Sequence, residues 1–191
     1  SADNAETQFF LGLVRFKQNK MSEAIMAFQK AIKIDPNFAE AYYYLGEVYD
    51  QSNLSNEAIA AYKEAIRINP KYSEAWFDLG VAYYNAGKYE DSISAYKQAV
   101  LIKNNFGEAY SNLGDVYREV KKFDEAIGAY RLATAFIKDD PDLYTNFGYV
   151  AARLALEPSR YTFWSMAIDN FKKANDLKKD FITYSNLGWA Y

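Results

Sequence analysis

Apolar residues recur along this chain at steps of three and four, and the pattern they form itself returns every 34 residues. Aligned on glycine, Gly12, Gly46, Gly80, Gly114 and Gly148 are each 34 residues apart, and Gly188 follows at 40. A large apolar residue precedes each one: Leu11, Leu45, Leu79, Leu113, Phe147 and Leu187. Twelve residues after the first four glycines stands a small residue, Ala24, Ala58, Ser92 or Ala126; after the fifth it is Ala167, displaced by seven. An aromatic follows four later (Phe28, Tyr62, Tyr96, Tyr130, Phe171), then alanine three beyond (Ala31, Ala65, Ala99, Ala133, Ala174).

Steps of three and four align one face of an α-helix, so each unit predicts two helices, A and B, forming a hairpin. Glycine in the middle of helix A costs about 1 kcal/mol of helix propensity relative to alanine. Close packing offsets that cost: where the glycine meets the small residue of helix B the backbones approach, while Tyr42, Trp76 and Tyr110 fill the wider gaps. Pro36 and Pro70 end helix B, because proline donates no helical hydrogen bond and disfavours a helical residue before it. Short polar turns such as Asn85-Ala86-Gly87-Lys88 join A to B.

These residues resemble the tetratricopeptide repeat motif, which sets an aromatic, Leu-Gly, tyrosine, alanine, an aromatic, alanine and proline at fixed offsets. In the second unit Tyr42, Leu45, Gly46, Tyr49, Ala58, Tyr62, Ala65 and Pro70 fill all eight places. The resemblance implies an all-α fold, a right-handed superhelical solenoid of antiparallel helix pairs. We expect one such domain over residues 1–191, built from units 5–38, 39–72, 73–106, 107–140 and 141–180 and a partial sixth at 181–191. Departures are local: Gln8 replaces an aromatic, Ser92 an alanine, Asn104 a proline and Ala151 a tyrosine. An insertion near 152–164 is expected to extend helix A up to Pro158, followed either by a self-packed turn or by an accessory contact site of Tyr161, Phe163 and Trp164. Tyr184, Leu187, Trp189 and Tyr191 repeat the face of helix A with no helix B after them, which suggests a trimmed chain or pairing with another copy.

Composition narrows the chemistry. Half of the residues are apolar, a quarter are charged, and the chain holds no cysteine and no histidine. A disulfide framework and a thiolate nucleophile are excluded, and the usual transition-metal ligands and near-neutral proton carriers are missing. No phosphate-cradling loop, metal spacing or nucleophile beside a base occurs, so we expect no catalytic residue, no metal and no cofactor. Net charge is −3, with basic residues interspersed among acidic ones, which argues against nucleic acid. No apolar stretch is long enough to span a bilayer, and the start lacks a secretory signal. A cytoplasmic location is the expectation, or a periplasmic one if a signal was removed.

The core positions of helix A define an opposite stripe at positions 2, 5, 6, 9 and 13 of each unit. The resemblance implies that this stripe lines a concave groove suited to an extended peptide. Position 6 reads Phe10, Tyr44, Asp78, Asn112, Asn146 and Asn186, changing from aromatic to asparagine along the chain. An amide can pair with both N–H and C=O of a peptide backbone, so Asn112, Asn146 and Asn186 are candidate rungs of a ladder. A tolerated solvent-facing residue is the plainer reading. Tyr43, Tyr44 and Phe77, with Phe9 and Phe10, are candidate side-chain contacts, or else pack against the next helix A. Glu6, Glu40, Glu74, Glu108 and Asp142 at position 2 are explained by the helix dipole. Glu47, Asp50 and Asp115, if they face the groove, would favour lysine or arginine in the partner. Acidic and aromatic residues stand where the family's carboxylate clamp would need basic ones, so chaperone-tail binding is not expected.

The reading that follows is a non-enzymatic scaffold or adaptor that holds a peptide or protein. Self-assembly through the C-terminal partial repeat and a substrate-docking arm of a larger enzyme are the alternatives.

Overall fold

The computed structural model describes residues 4–179 and 185–186. Every regular element with defined bounds among them is an α-helix, as the periodicity predicts. The chain forms two compact units, Ser1–Ile102 and Lys103–Tyr191. The first contains α1 (Ala5–Lys17), α2 (Met21–Ile34), α3 (Ala39–Gln51), α4 (Ser55–Ile68), α5 (Ser73–Asn85) and α6 (Tyr89–Ile102). The second contains α7 (Gly107–Glu119), α8 (Phe123–Phe136), α9 (Pro141–Ala155) and α10 (Phe163–Leu177). Tyr184, Leu187, Trp189 and Tyr191, and with them most of the expected sixth unit, lie outside the described residues; Ser185 and Asn186 are described and helical.

Odd-numbered helices are the A helices of the repeat and even-numbered ones the B helices. In the first unit each A helix packs on its own B helix, α2 also packs on α3, and α4 on α5. The A helices touch their A neighbours, α1 with α3 and α3 with α5, whereas among the described residues no contact joins α2 to α4 or α4 to α6. The A helices therefore form the tighter, inner side of that stack. In the second unit, α7 likewise touches α9, while among the described residues α8 does not touch α10.

One contact repeats through every hairpin. A Cβ added at Gly12, Gly46, Gly80, Gly114 or Gly148 would fall 2.5 to 2.7 Å from ring atoms of Phe28, Tyr62, Tyr96, Tyr130 or Phe171 respectively. The sequence suggested that the glycine accommodates the small residue twelve positions on. The nearest obstacle is instead the aromatic sixteen positions on, or 23 on at Gly148, whose ring occupies the space that a Cβ would need. In the third hairpin the small residue meets the glycine from its carbonyl side: buried Ser92 donates from Oγ to the Gly80 carbonyl at 2.8 Å. That bond satisfies the hydroxyl and explains why serine substitutes there for alanine.

The turns repeat as well. Asn19, Asn53, Gly87 and Lys121 hold φ of 59°, 60°, 70° and 61°, all at the fifteenth place of their units. In each turn this residue's N–H donates to a carbonyl three residues back and the next N–H reaches five residues back, closing the end of the A helix. From B to the next A, the Asp35 and Asn69 side chains accept from Asn37 N and Lys71 N, at 2.9 and 3.1 Å. Phe38 then anchors the start of α3 by packing on Phe9, with ring centroids 4.8 Å apart, and Tyr72 packs on Tyr43 at 4.9 Å before α5. Helix α9 starts differently, with the Asp140 carboxylate accepting from Asp142 N and Leu143 N and Pro141 in the first turn.

The insertion leaves the hairpin contact intact, since Gly148 still meets Phe171. Helix α9 runs on to Ala155, as expected, and the loop is tied down by Arg160, which pairs with Asp124 on α8 at 2.6 Å and with Glu157 at 3.1 Å. Phe163 and Trp164 are half-buried at the start of α10, while Tyr161 is 69% exposed.

Replacing Gly46 by alanine sets about 1 kcal/mol of gained helix propensity against forced repacking of the buried Tyr62 ring, at about 1–3 kcal/mol. Gly46→Ala should therefore lower stability in urea unfolding. Gly128→Ala, on an exposed face of α8 with nothing within 4 Å, should raise it by about 0.5–1 kcal/mol.

Candidate functional site

The stripe on the inner face of the A helices carries the expected residues, but many of them hold one another. In the first unit Phe9 is buried, 4.8 Å from Phe38 and 5.9 Å from Phe28 between ring centroids. Tyr44 is half-buried and stacks near Phe28 at 6.1 Å, with Phe9 at 5.6 Å. Tyr43 packs edge-on to Tyr44 at 5.1 Å and lies 6.0 Å from Tyr62. Half-buried Phe77 leans on Tyr96 at 5.7 Å. Phe10 departs from this pattern: at 60% exposed it is a ring offered to solvent.

Polar groups lie among these rings. Tyr43 donates its phenol hydrogen to Asp78 Oδ2 at 2.8 Å, bridging α3 to α5. Glu47, one turn along α3 from Tyr43, adds a second negative charge beside that phenol. The single phenol hydrogen goes to Asp78, so an ionised Glu47 is a second carboxylate that this phenol does not serve. Burial, then the Asp78 charge, pushes the Glu47 carboxyl up to about 7. Burial also raises Asp78 to about 6, with Asp50 and Glu74 adding to the rise and the Tyr43 bond opposing it. The same surroundings push the Tyr43 phenol far above its ordinary range.

In the second unit the equivalent places are filled differently. Asp115 stands where Glu47 does in its repeat, and Asn146 where Asp78 does, each 68 residues further on. The Asn146 amide donates to Asp115 Oδ1 at 2.9 Å, and Tyr130 of α8 donates to the same oxygen at 2.7 Å. The Arg118 guanidinium lies 3.7 Å from it. Burial raises the Asp115 carboxyl, while Tyr130, Arg118 and Asn146 all pull it down. An amide and a carboxylate thus satisfy each other where the first unit sets two carboxylates around one phenol.

Asn112 occupies the place of Asn146 one repeat earlier and is half-buried, and Asn186 is half-buried in its short helical stretch. Of the residues singled out from the sequence, Tyr43, Tyr44, Glu47 and Phe77 gather in the first unit and Asn112, Asp115 and Asn146 in the second. Asp78, Arg118 and Tyr130 were missed as members of these clusters. A 31-residue offset between position 9 of one unit and position 6 of the next, which pairs Glu47 with Asp78 and Asp115 with Asn146, was the signal available.

A profile described as TPR repeat matches residues 12–53, 55–87 and 82–120, and a second, described as Tetratricopeptide repeat, matches 109–143. The chain belongs to the tetratricopeptide repeat family. No curated protein matches it by sequence. Among solved structures it is similar to a crystal structure of MamA protein, with a TM-score of 0.81 and 24% identity over 96% of this chain and 97% of that one. Similar too is YrrB, titled a TPR protein with an unusual peptide-binding site, with a TM-score of 0.80 and 21% identity over 96% and 91% of the two chains. MamA 41-end from Desulfovibrio magneticus RS-1 has a TM-score of 0.80 at 16% identity over 93% and 96%. The tetratricopeptide fold is typically an interaction scaffold and generally not a catalytic one. No helix among the described residues is long and apolar enough to cross a membrane.

Because both Glu47 and Asp78 bind protons more tightly folded than unfolded, their contribution to stability falls as pH rises from about 4 towards about 7. Asp78→Asn recreates the amide and carboxylate pairing of the second unit. It should stabilise the protein at pH 8 by about 1 kcal/mol after allowance for solvent screening, and much less near pH 4, in urea unfolding run at both values.

Proposed function

We propose that this tetratricopeptide scaffold binds an extended segment of another protein along the inner stripe of its A helices. The observation that carries this reading is the way Asn146 is held. Asp115 accepts only, so it fixes the amide with one N–H turned towards it. The second N–H and the carbonyl oxygen take no partner among the described residues, and they form the donor and acceptor pair that an extended backbone needs. Asn112 and Asn186 extend the same register one repeat either way. Tyr43, Tyr44 and Phe77 form the aromatic wall of the first unit and would take apolar side chains. Glu47, with Asp78, would favour a basic residue there, and Asp115 acts by orienting its amide.

The paired variant Asn112→Ala/Asn146→Ala tests this, with an immobilised array of short random peptides as the probe. Binding should weaken by about tenfold or more, the loss of one or two hydrogen bonds. The urea midpoint controls for folding. Undiminished binding by a folded double variant would remove the amide ladder from the mechanism.

A further inference from the structure

Beyond Asn146 the stripe of the second unit opens into a recess of about 280 Å³, lined by Arg118, Glu119, Lys121, Phe123, Tyr149 and Arg153. It continues the same face, because Tyr149 and Arg153 follow Asn146 by one and two turns of α9, and Glu119 follows Asn112 by two turns of α7. Three cations and one anion surround it, in a chain whose net charge is −3. Arg118 is already engaged, donating to Glu119 Oε1 at 3.0 Å with Asp115 behind it. Lys121 and Arg153 are exposed, and among the described residues neither side chain has a hydrogen bond or ion pair. Tyr149, 49% exposed, and half-buried Phe123 supply apolar wall.

A second observation singles out Lys121. At the equivalent place of the first three repeats stand Asn19, Asn53 and Gly87, residue types that tolerate a left-handed backbone. Lys121 holds the same conformation, at φ 61°, without the local hydrogen bonding of asparagine or the freedom of glycine. A strained residue with an unpaired charge at the mouth of a recess is the kind of outlier that marks a contact.

We propose that this recess takes an acidic side chain of the bound segment, an aspartate or glutamate lying next to an apolar residue. Lys121 and Arg153 contact its carboxylate, and Tyr149 and Phe123 contact its stem and neighbour. A peptide carboxylate suits the recess better than a phosphate dianion, because Glu119 lines it and, with Asp115, already offsets the Arg118 charge, leaving less to balance a second negative charge. The assignment rests on the peptide-binding reading above and adds to it the chemistry of one side chain.

The probes are two libraries of labelled extended peptides, identical except that a fixed central Glu-Leu in one is Gln-Leu in the other. The Glu library should bind about tenfold more tightly at low salt, and high salt should erase the difference. Lys121→Asn copies the residue of two sister repeats, so it should keep or raise the urea midpoint while reducing the Glu preference to about twofold or less. Arg153→Gln should reduce it likewise, while Asn112→Ala/Asn146→Ala should weaken both libraries alike. Equal binding of the two libraries, or a preference untouched in Lys121→Asn and Arg153→Gln, would overturn the acidic subsite and leave the groove reading standing. Failure of both libraries to bind would overturn the two together.

Discussion

The contact between a helix A glycine and a helix B ring sets the geometry of every hairpin, and the placement of the functional side chains follows from it. Each of these five glycines lacks the Cβ that would collide with a buried aromatic less than 3 Å away. The ring fills the missing volume, brings the two helices together at one depth, and exposes the same stripe of helix A each time. That contact survives even the inserted residues before α10, where Phe171 still lies on Gly148. Variation is tolerated around the contact, as at Ser92, provided that the polar atom finds the backbone carbonyl beside it.

On this repeated frame, equivalent places carry unlike chemistry. Position 9 of one repeat faces position 6 of the next, and the pair is Glu47 with Asp78 in the first unit but Asp115 with Asn146 in the second. In the first arrangement burial holds both carboxyls up, Glu47 to about 7 and Asp78 to about 6. In the second, the Asn146 amide donates to the carboxylate and is held in one orientation by it. The second unit gathers basic residues around Tyr149, and the first gathers acidic ones around Tyr43.

The helical hairpins, and a helix A that runs on before Pro158, were legible from the spacing of glycine, alanine and aromatic residues and from the insertion. Repeats amplify a weak local signal, because five units must satisfy one packing rule. The stripe was legible too, as the side of helix A that the rule leaves over. What could not be read was how far its residues satisfy one another. Phe9 and Tyr44 could be read as open contacts or as packing on the next helix A, and they meet each other across α1 and α3 while also leaning on Phe38 and Phe28. Asn146 read as a free rung, yet one of its hydrogens belongs to Asp115 of the preceding repeat.

By itself, then, the amino-acid sequence determined the repeat, its two helices, the turns between them and the face left uncovered, since each depends on local periodicity and on the volume of single residues. Tertiary structure decided which polar groups pair across that face, which carboxyls are pushed up by burial, and where Lys121 and Arg153 frame a recess. Those outcomes depend on distances of a few ångströms between side chains some thirty residues apart, set by the spacing of neighbouring helices and not by any one of them.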